Sequence, residues 1–245
     1  MALPKVETPT YELTLPSEDK KVKYRPFLVK EEKILLMAME SQKEEEIYEA
    51  TKNIVDTCTF NSLNVEQLPM FDLEYIFLNI RAKSVGEVSK FKVLCPDDKK
   101  TYADVEVDLT KVEVQVDDAH TNRIVIDENR KLGVVMKYPT MEILKSGTNI
   151  DNKNMDSIFT MLSTCIDHIF EGDKIYPAKD STQAEIKEFF ESLSQENFAK
   201  VKKFFDSMPR VRHELEVENP KTKVKSKVVL TGINDFFESA SPIIA

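Results

Sequence analysis

Alternating and helix-spaced apolar positions divide the chain into short segments whose conformation can be read directly. Near the start Tyr11, Leu13 and Leu15 alternate with polar residues, Pro16 to Lys20 supply turn chemistry, and Val22 and Tyr24 alternate again. That predicts a hairpin, closed by Pro26. Ile34, Leu35 and Ala38, then Ile47, Ala50, Ile54 and Val55, recur at three- and four-residue spacing and predict two amphipathic helices with acidic outer faces. Glu44 to Glu46 form a solvated first turn favoured by the helix dipole. A third helix, over 69–81, is apolar on most faces and therefore belongs deep in the fold.

Strand-like alternation follows at Val88 to Leu94, Val105 to Leu109, Val112 to Val116, Ile124 to Ile126 and Gly133 to Tyr138. Ile158, Met161, Leu162, Cys165, Ile166 and Ile169 fit one helical face, and Gly172 fits a helix C-terminus. Thr182 and Glu185 make a capping-box pattern, and Ser194 can cap a helix carrying Phe198, Val201, Phe204 and Phe205, ended by Pro209. Two strands and a short helix near 233–239 close the pattern. Placing Pro96 over Pro220 aligns two hairpins without a gap: Phe91 with Leu215, Val93 with Val217, Lys99 with Lys223, Val105 with Val229, Leu109 with Ile233. Duplication of a helix–strand–turn–strand unit and chance both account for such an echo.

The two turns, at Cys95 to Asp98 and Glu218 to Thr222, stand where a zinc ribbon would carry its cysteine knuckles. One cysteine and no C-x-x-C cannot build a four-ligand zinc site. The expected fold class is α+β, a helical core with antiparallel hairpins. Two hairpins resemble degenerate zinc ribbons without metal ligands. The expected regions are 1–150, holding the first ribbon-like arm, and 151–245, ending in the second.

Composition narrows the chemistry. The 245 residues carry a net charge of −9, which disfavours general nucleic-acid affinity. Three scattered cysteines argue against a disulfide framework and suit a reducing compartment. No apolar leader and no spanning segment is expected: the most apolar stretch, 68–80, is interrupted by Asp72 and Glu74. Five dispersed glycines leave no dinucleotide fingerprint, P-loop or nucleophile elbow. No cofactor is called for. Cys165 and His168, at i and i+3 of the expected helix, are the sharpest catalytic or metal-binding suggestion, set against the plainer account of a buried, inert thiol. Asp117 to His120 lack the ligand pattern of a calcium loop and read as a polar turn, and His213 reads as a strand residue. Asp72 and Glu74 would attract notice as buried acids, with Arg81 and Lys83 as structural partners.

From Lys200 to Lys227 basic residues outnumber acidic ones nine to four. Lys221, Lys223, Lys225 and Lys227 alternate, so on one strand their amines would share a face. Such a row guards a sheet edge, or steers an acidic protein partner, and it lacks the interleaved aromatics of a nucleic-acid surface. Arg210, Arg212, Lys221, Lys223, Lys225, Lys227, Phe236 and Phe237, beside the apolar terminus 242–245, make the candidate partner-binding set.

Long runs carry a resemblance. Tyr11 to Ser17, Lys23 to Leu36, Leu68 to Lys83, Val112 to His120, Gly133 to Pro139, Phe204 to Pro209 and Glu216 to Thr222 together resemble the T4-type bacteriophage baseplate protein family, found among hub subunits and hub assembly factors. The resemblance implies a non-enzymatic structural or assembly role in the hub of a contractile tail. It implies docking onto other hub or tail proteins in the infected bacterium's cytoplasm and in the virion, or a transient chaperone absent from the particle. It supplies no catalytic residue. Relatives keep cysteine pairs at the hairpin turns where this chain has only Cys95. Oligomeric state is left open.

Overall fold

A computed structural model describes residues 7–41, 43–141, 159 and 162–237. The fold is α+β, with antiparallel sheets and helices in two compact units. One unit comprises Met1–Gln115 and Arg210–Ala245, the other Val116–Pro209. The units thus divide after Gln115 and before Arg210 rather than at 150/151.

In the first unit β1 (Tyr11–Thr14) and β2 (Lys21–Tyr24) form the expected hairpin. Its turn is fastened to the core by Asp72, which accepts hydrogen bonds from the Ser17 amide and hydroxyl. α1 (Val29–Ser41), α2 (Glu44–Cys58) and α3 (Met70–Val85) follow. α3 is buried on nearly every side, as its all-round apolarity requires. The ion pair expected of Asp72 with Arg81 or Lys83 is replaced by other contacts. Asp72 holds Ser17, Arg81 donates to Ser89 Oγ and the Phe236 carbonyl, and Lys83 pairs with Glu87. Glu31, buried on α1, accepts from the Leu28 amide and pairs with Arg25, a satisfied charge rather than an apolar contact. β3 (Val88–Leu94) and β4 (Tyr102–Asp108) make the first arm. β5 (Glu113–Gln115) pairs with the later strand that re-enters this unit at Arg210.

The second unit holds β6 (Arg123–Asp127), β7 (Leu132–Met136), β8 (Ile166–Glu171) and β9 (Lys174–Pro177), antiparallel in that order. α4 (Gln183–Glu191), with both halves of the Thr182/Glu185 capping box formed, and α5 (Gln195–Ser207), capped by Ser194, pack on it through Ile186, Phe190, Val201 and Phe204. The helix expected through Cys165 and Ile169 is present at 162–164 but gives way to strand from Ile166. Ile158 and Met161 lie outside the described residues. Met136 faces Ile166 and Val134 faces Ile169, so a bulge at Asp167 and His168 puts two inward side chains three residues apart. That spacing mimics a helix. Gly172 is a hairpin turn with φ +58 rather than a helix end.

Gly133 is required by a close approach. Its β-carbon would collide with the Phe170 ring and the Ile124 carbonyl. On α5, Ser207 gives its hydroxyl proton to the Lys203 carbonyl, so His120 Nδ1 donates to Ser207 Oγ at 3.0 Å and Nε2 accepts from Tyr138 at 3.0 Å. The ring also lies against Tyr138 and Phe204. Burial holds its pKa below the ordinary histidine value, opposed by nearby Asp117.

Gly133→Ala is expected to cost about 1–3 kcal/mol through overpacking, measured by urea unfolding. The neutral His120 ring contributes fully above its unfolded pKa of about 6.5, and that contribution drains away as pH falls through this value toward the lower folded pKa. Melting curves should therefore drop between about pH 7.5 and about 5.5, and less steeply for His120→Phe.

Candidate docking surface

Two-stranded ribbons cannot bury enough surface to stand alone. The first arm is β3–β4. The second is β10 (Arg210–Glu218) with β11 (Lys225–Thr231), followed by α6 (Gly232–Phe237). Phe91, Val107 and Leu109 of the first arm share a core with Val211 and Leu230 of the second, with Leu78 and Ala82 of α3, and with Phe236. Closer to the tips, Cys95 and Ala103 pack on Val217.

The tips are locked by hydrogen bonds. Asn219 Nδ2 donates to Asp97 at 2.9 Å and 3.1 Å, and Thr222 Oγ1 donates to the same carboxylate at 2.5 Å. These bonds hold the Asp97 pKa below the usual carboxylate range. Asn219 Oδ1 meanwhile accepts the Lys221 and Thr222 amides, which shapes the turn itself. Lys99 and Lys223, aligned in sequence, both adopt positive φ, at 52° and 62°, and each donates its amide four residues back. After those lysines the gapless alignment slips. Phe91 faces Val105, but its counterpart Leu215 faces Val228 rather than Val229, so the second turn is one residue shorter. Val229 consequently points outward and Val228 inward.

The zinc-ribbon likeness finds no support here. Cys95 is buried against Ala103 and Val217, and burial with Asp97 and Asp98 raises its pKa. Among the described residues no group of three His, Cys, Asp or Glu is placed to hold a metal.

The outer faces carry charge in rows. In the first arm Lys90 and Lys92 on β3 face Glu106 and Asp104 on β4. In the second the signs are exchanged: Glu216 and Glu218 on β10 face Lys227 and Lys225 on β11. Lys225 reaches Glu216 at 3.0 Å, Arg212 reaches Glu214 at 2.5 Å, and Lys223 lies 4.0 Å from Glu218. The lysine row is thus not a single strand face. Lys221 and Lys223 belong to the turn, and only Lys225 and Lys227 share β11. The local basic excess becomes a ladder of mixed sign. Arg210, half-buried, pairs in register with Gln115, and Arg212 also donates to Gln115. Phe236 is 1% exposed and belongs to the core, so it is no docking residue. Phe237 ends α6, but its side chain and the terminus 242–245 lie outside the described residues.

The Cys165–His168 constellation does not form on a helix. Cys165 is buried at a turn with its pKa pushed up to about 12 by desolvation, and His168 sits on β8 with Nδ1 2.6 Å from Asp167. Cys58 is likewise buried, pushed up to about 11. Sequence reasoning missed the outer face of α1. There Val29, Ile34, Leu36 and Met37 are exposed where an acidic face was expected. The signal was the unbroken apolar run from Ile34 to Met39, too wide for one buried stripe.

The profile of the family described as T4 bacteriophage base plate protein matches residues 8–238. Neither a curated protein nor a solved structure matches the chain.

Phe236→Ala is expected to lower stability by about 3–5 kcal/mol in urea unfolding, the cost of an emptied aromatic core site. Alanine at Lys225 and Lys227 should leave the curve unchanged, as exposed pairs do. Asn219→Ala, which orphans turn amides, should fall between them at about 1–3 kcal/mol.

Proposed function

The chain belongs to the T4 bacteriophage base plate protein family, and on that premise we propose that it is a non-enzymatic structural or assembly protein of the baseplate hub. It works by docking the outer faces of its paired arms onto another baseplate protein. One observation carries the docking reading. The two arms are fused by a shared core and locked tips, and they present ordered charge rows bordered by the exposed apolar pair Leu94 and Tyr102. A stiff, patterned face of this kind selects a partner by register and sign more than by raw area.

The remaining candidate chemistry supports a protein without a reaction. A cleft in the second unit, about 610 Å³, is lined by Asp127, Arg130, Glu185 and Ser194, whose polar groups already have local duties. Asp127 accepts the Asn129 and Arg130 amides, Arg130 pairs with Glu171, Glu185 completes a capping box, and Ser194 caps α5. Among the described residues no helix is long and apolar enough to cross a membrane. The place of action is the tail baseplate and the host cytoplasm in which it is assembled.

Truncation at Arg210 would remove Val211, Leu230 and Phe236 from the core. Reversing Lys225 and Lys227 to Glu leaves that core intact. The reversed chain, expressed in infected cells, should fold but bring down none of the baseplate proteins that co-purify with the parent. Undiminished recovery overturns the arm-docking reading. Mass spectrometry of purified virions then separates a resident subunit, abundant in the particle, from an assembly factor missing from it.

A further inference from the structure

α1 turns Glu31, Leu35 and Ala38 inward. The opposite stripe therefore consists of Val29, Lys33, Leu36, Met37 and Glu40, with Ile34 on its flank. It is strongly apolar for a surface: Val29 is 80% exposed, Met37 60% and Ile34 50%. Contiguous exposed apolar side chains bounded by charge mark an interaction site. The two charges within the stripe, Lys33 and Glu40, make no ion pair among the described residues.

We propose that this stripe is covered by the same stripe of a second copy of the chain, the two α1 helices running antiparallel about a two-fold axis between Leu36 and Met37. The sequence is palindromic in charge about that point. Lys33 stands three residues before Leu36, and Glu40 three residues after Met37. An antiparallel pairing centred there sets Lys33 of each copy opposite Glu40 of the other and stacks Leu36 of each copy on Met37 of the other. A parallel pairing would oppose Lys33 to Lys33 and Glu40 to Glu40, and like charges at helix contacts repel. The charges therefore specify direction as well as partner. An acidic or a basic partner is not favoured, since the stripe carries one charge of each sign. Isologous two-fold contacts of this kind are the commonest in soluble homo-oligomers.

The contact is modest in size. A helix of 13 residues offers a face about 20 Å long, less than the ~800 Å² per partner of a standard interface. The dimer is accordingly concentration-dependent, and it would present the arm faces in duplicate. The inference does not depend on the arm-docking reading, which concerns a different surface.

Sedimentation velocity of the full chain across the micromolar range tests it, with circular dichroism to verify folding of each variant. The parent should shift from monomer to dimer with concentration. Leu36→Glu should remain monomeric. Lys33→Glu and Glu40→Lys should each weaken dimerisation about tenfold, and the double exchange Lys33→Glu/Glu40→Lys should restore it, because the pairing of signs is recovered. A parent chain that stays monomeric throughout overturns the proposal, as does a dimer indifferent to Leu36→Glu. Failure of the double exchange to rescue the single ones overturns the antiparallel register.

Discussion

A two-stranded ribbon has two edges, two faces and too little buried area to be stable by itself. That constraint organises the first unit. β3–β4 gains stability only by laying its inner row, Phe91 and Val107, against Val211 and Leu230 of β10–β11 and against α3. The partner strands lie far along the chain, so the unit is necessarily discontinuous. The Asp97–Asn219–Thr222 lock is where the two ribbons are fixed in register, and the short α6 adds Phe236 as the plug beneath them.

Much of this was legible in the sequence because local chemistry and burial agree. The capping box at Thr182, the Ser194 cap, the all-round apolarity of α3 and the Tyr11–Tyr24 hairpin were each set by a few neighbouring residues. β8 was not legible. A bulge places Ile166 and Ile169 on one face at a three-residue interval, and a strand that is irregular in this way carries a helical signature. The echo between the arms was visible up to Lys99 and Lys223, whose shared positive φ marks equivalent turns. Its returning half was misaligned because one residue is missing from the second turn, and a shift of one exchanges the faces of a strand.

The candidate surface was less legible than the fold. A row of lysines in sequence says nothing about what lies across the ladder. Glu216 and Glu218 enter only through register. Phe236 was misjudged for a similar reason, since its burial depends on α3 and the first arm, remote in sequence. On α1 the buried glutamate, neutralised by Arg25, takes an inward position that an apolar residue would have filled, and the apolar residues beside it are left outside.

The interrupted layout of the first unit has a consequence for synthesis. At a ribosomal rate of roughly 5–20 residues per second, the stretch Val116–Pro209 separates the two halves of that unit by a delay on the order of 5–20 s. During this interval the inner row of the first arm has no mate, while the second unit, contiguous in sequence, already has everything it needs to fold. The nascent chain is thus completed from its middle outward. The first arm is the segment that a chaperone would most need to shield until Arg210 to Phe236 leave the exit tunnel.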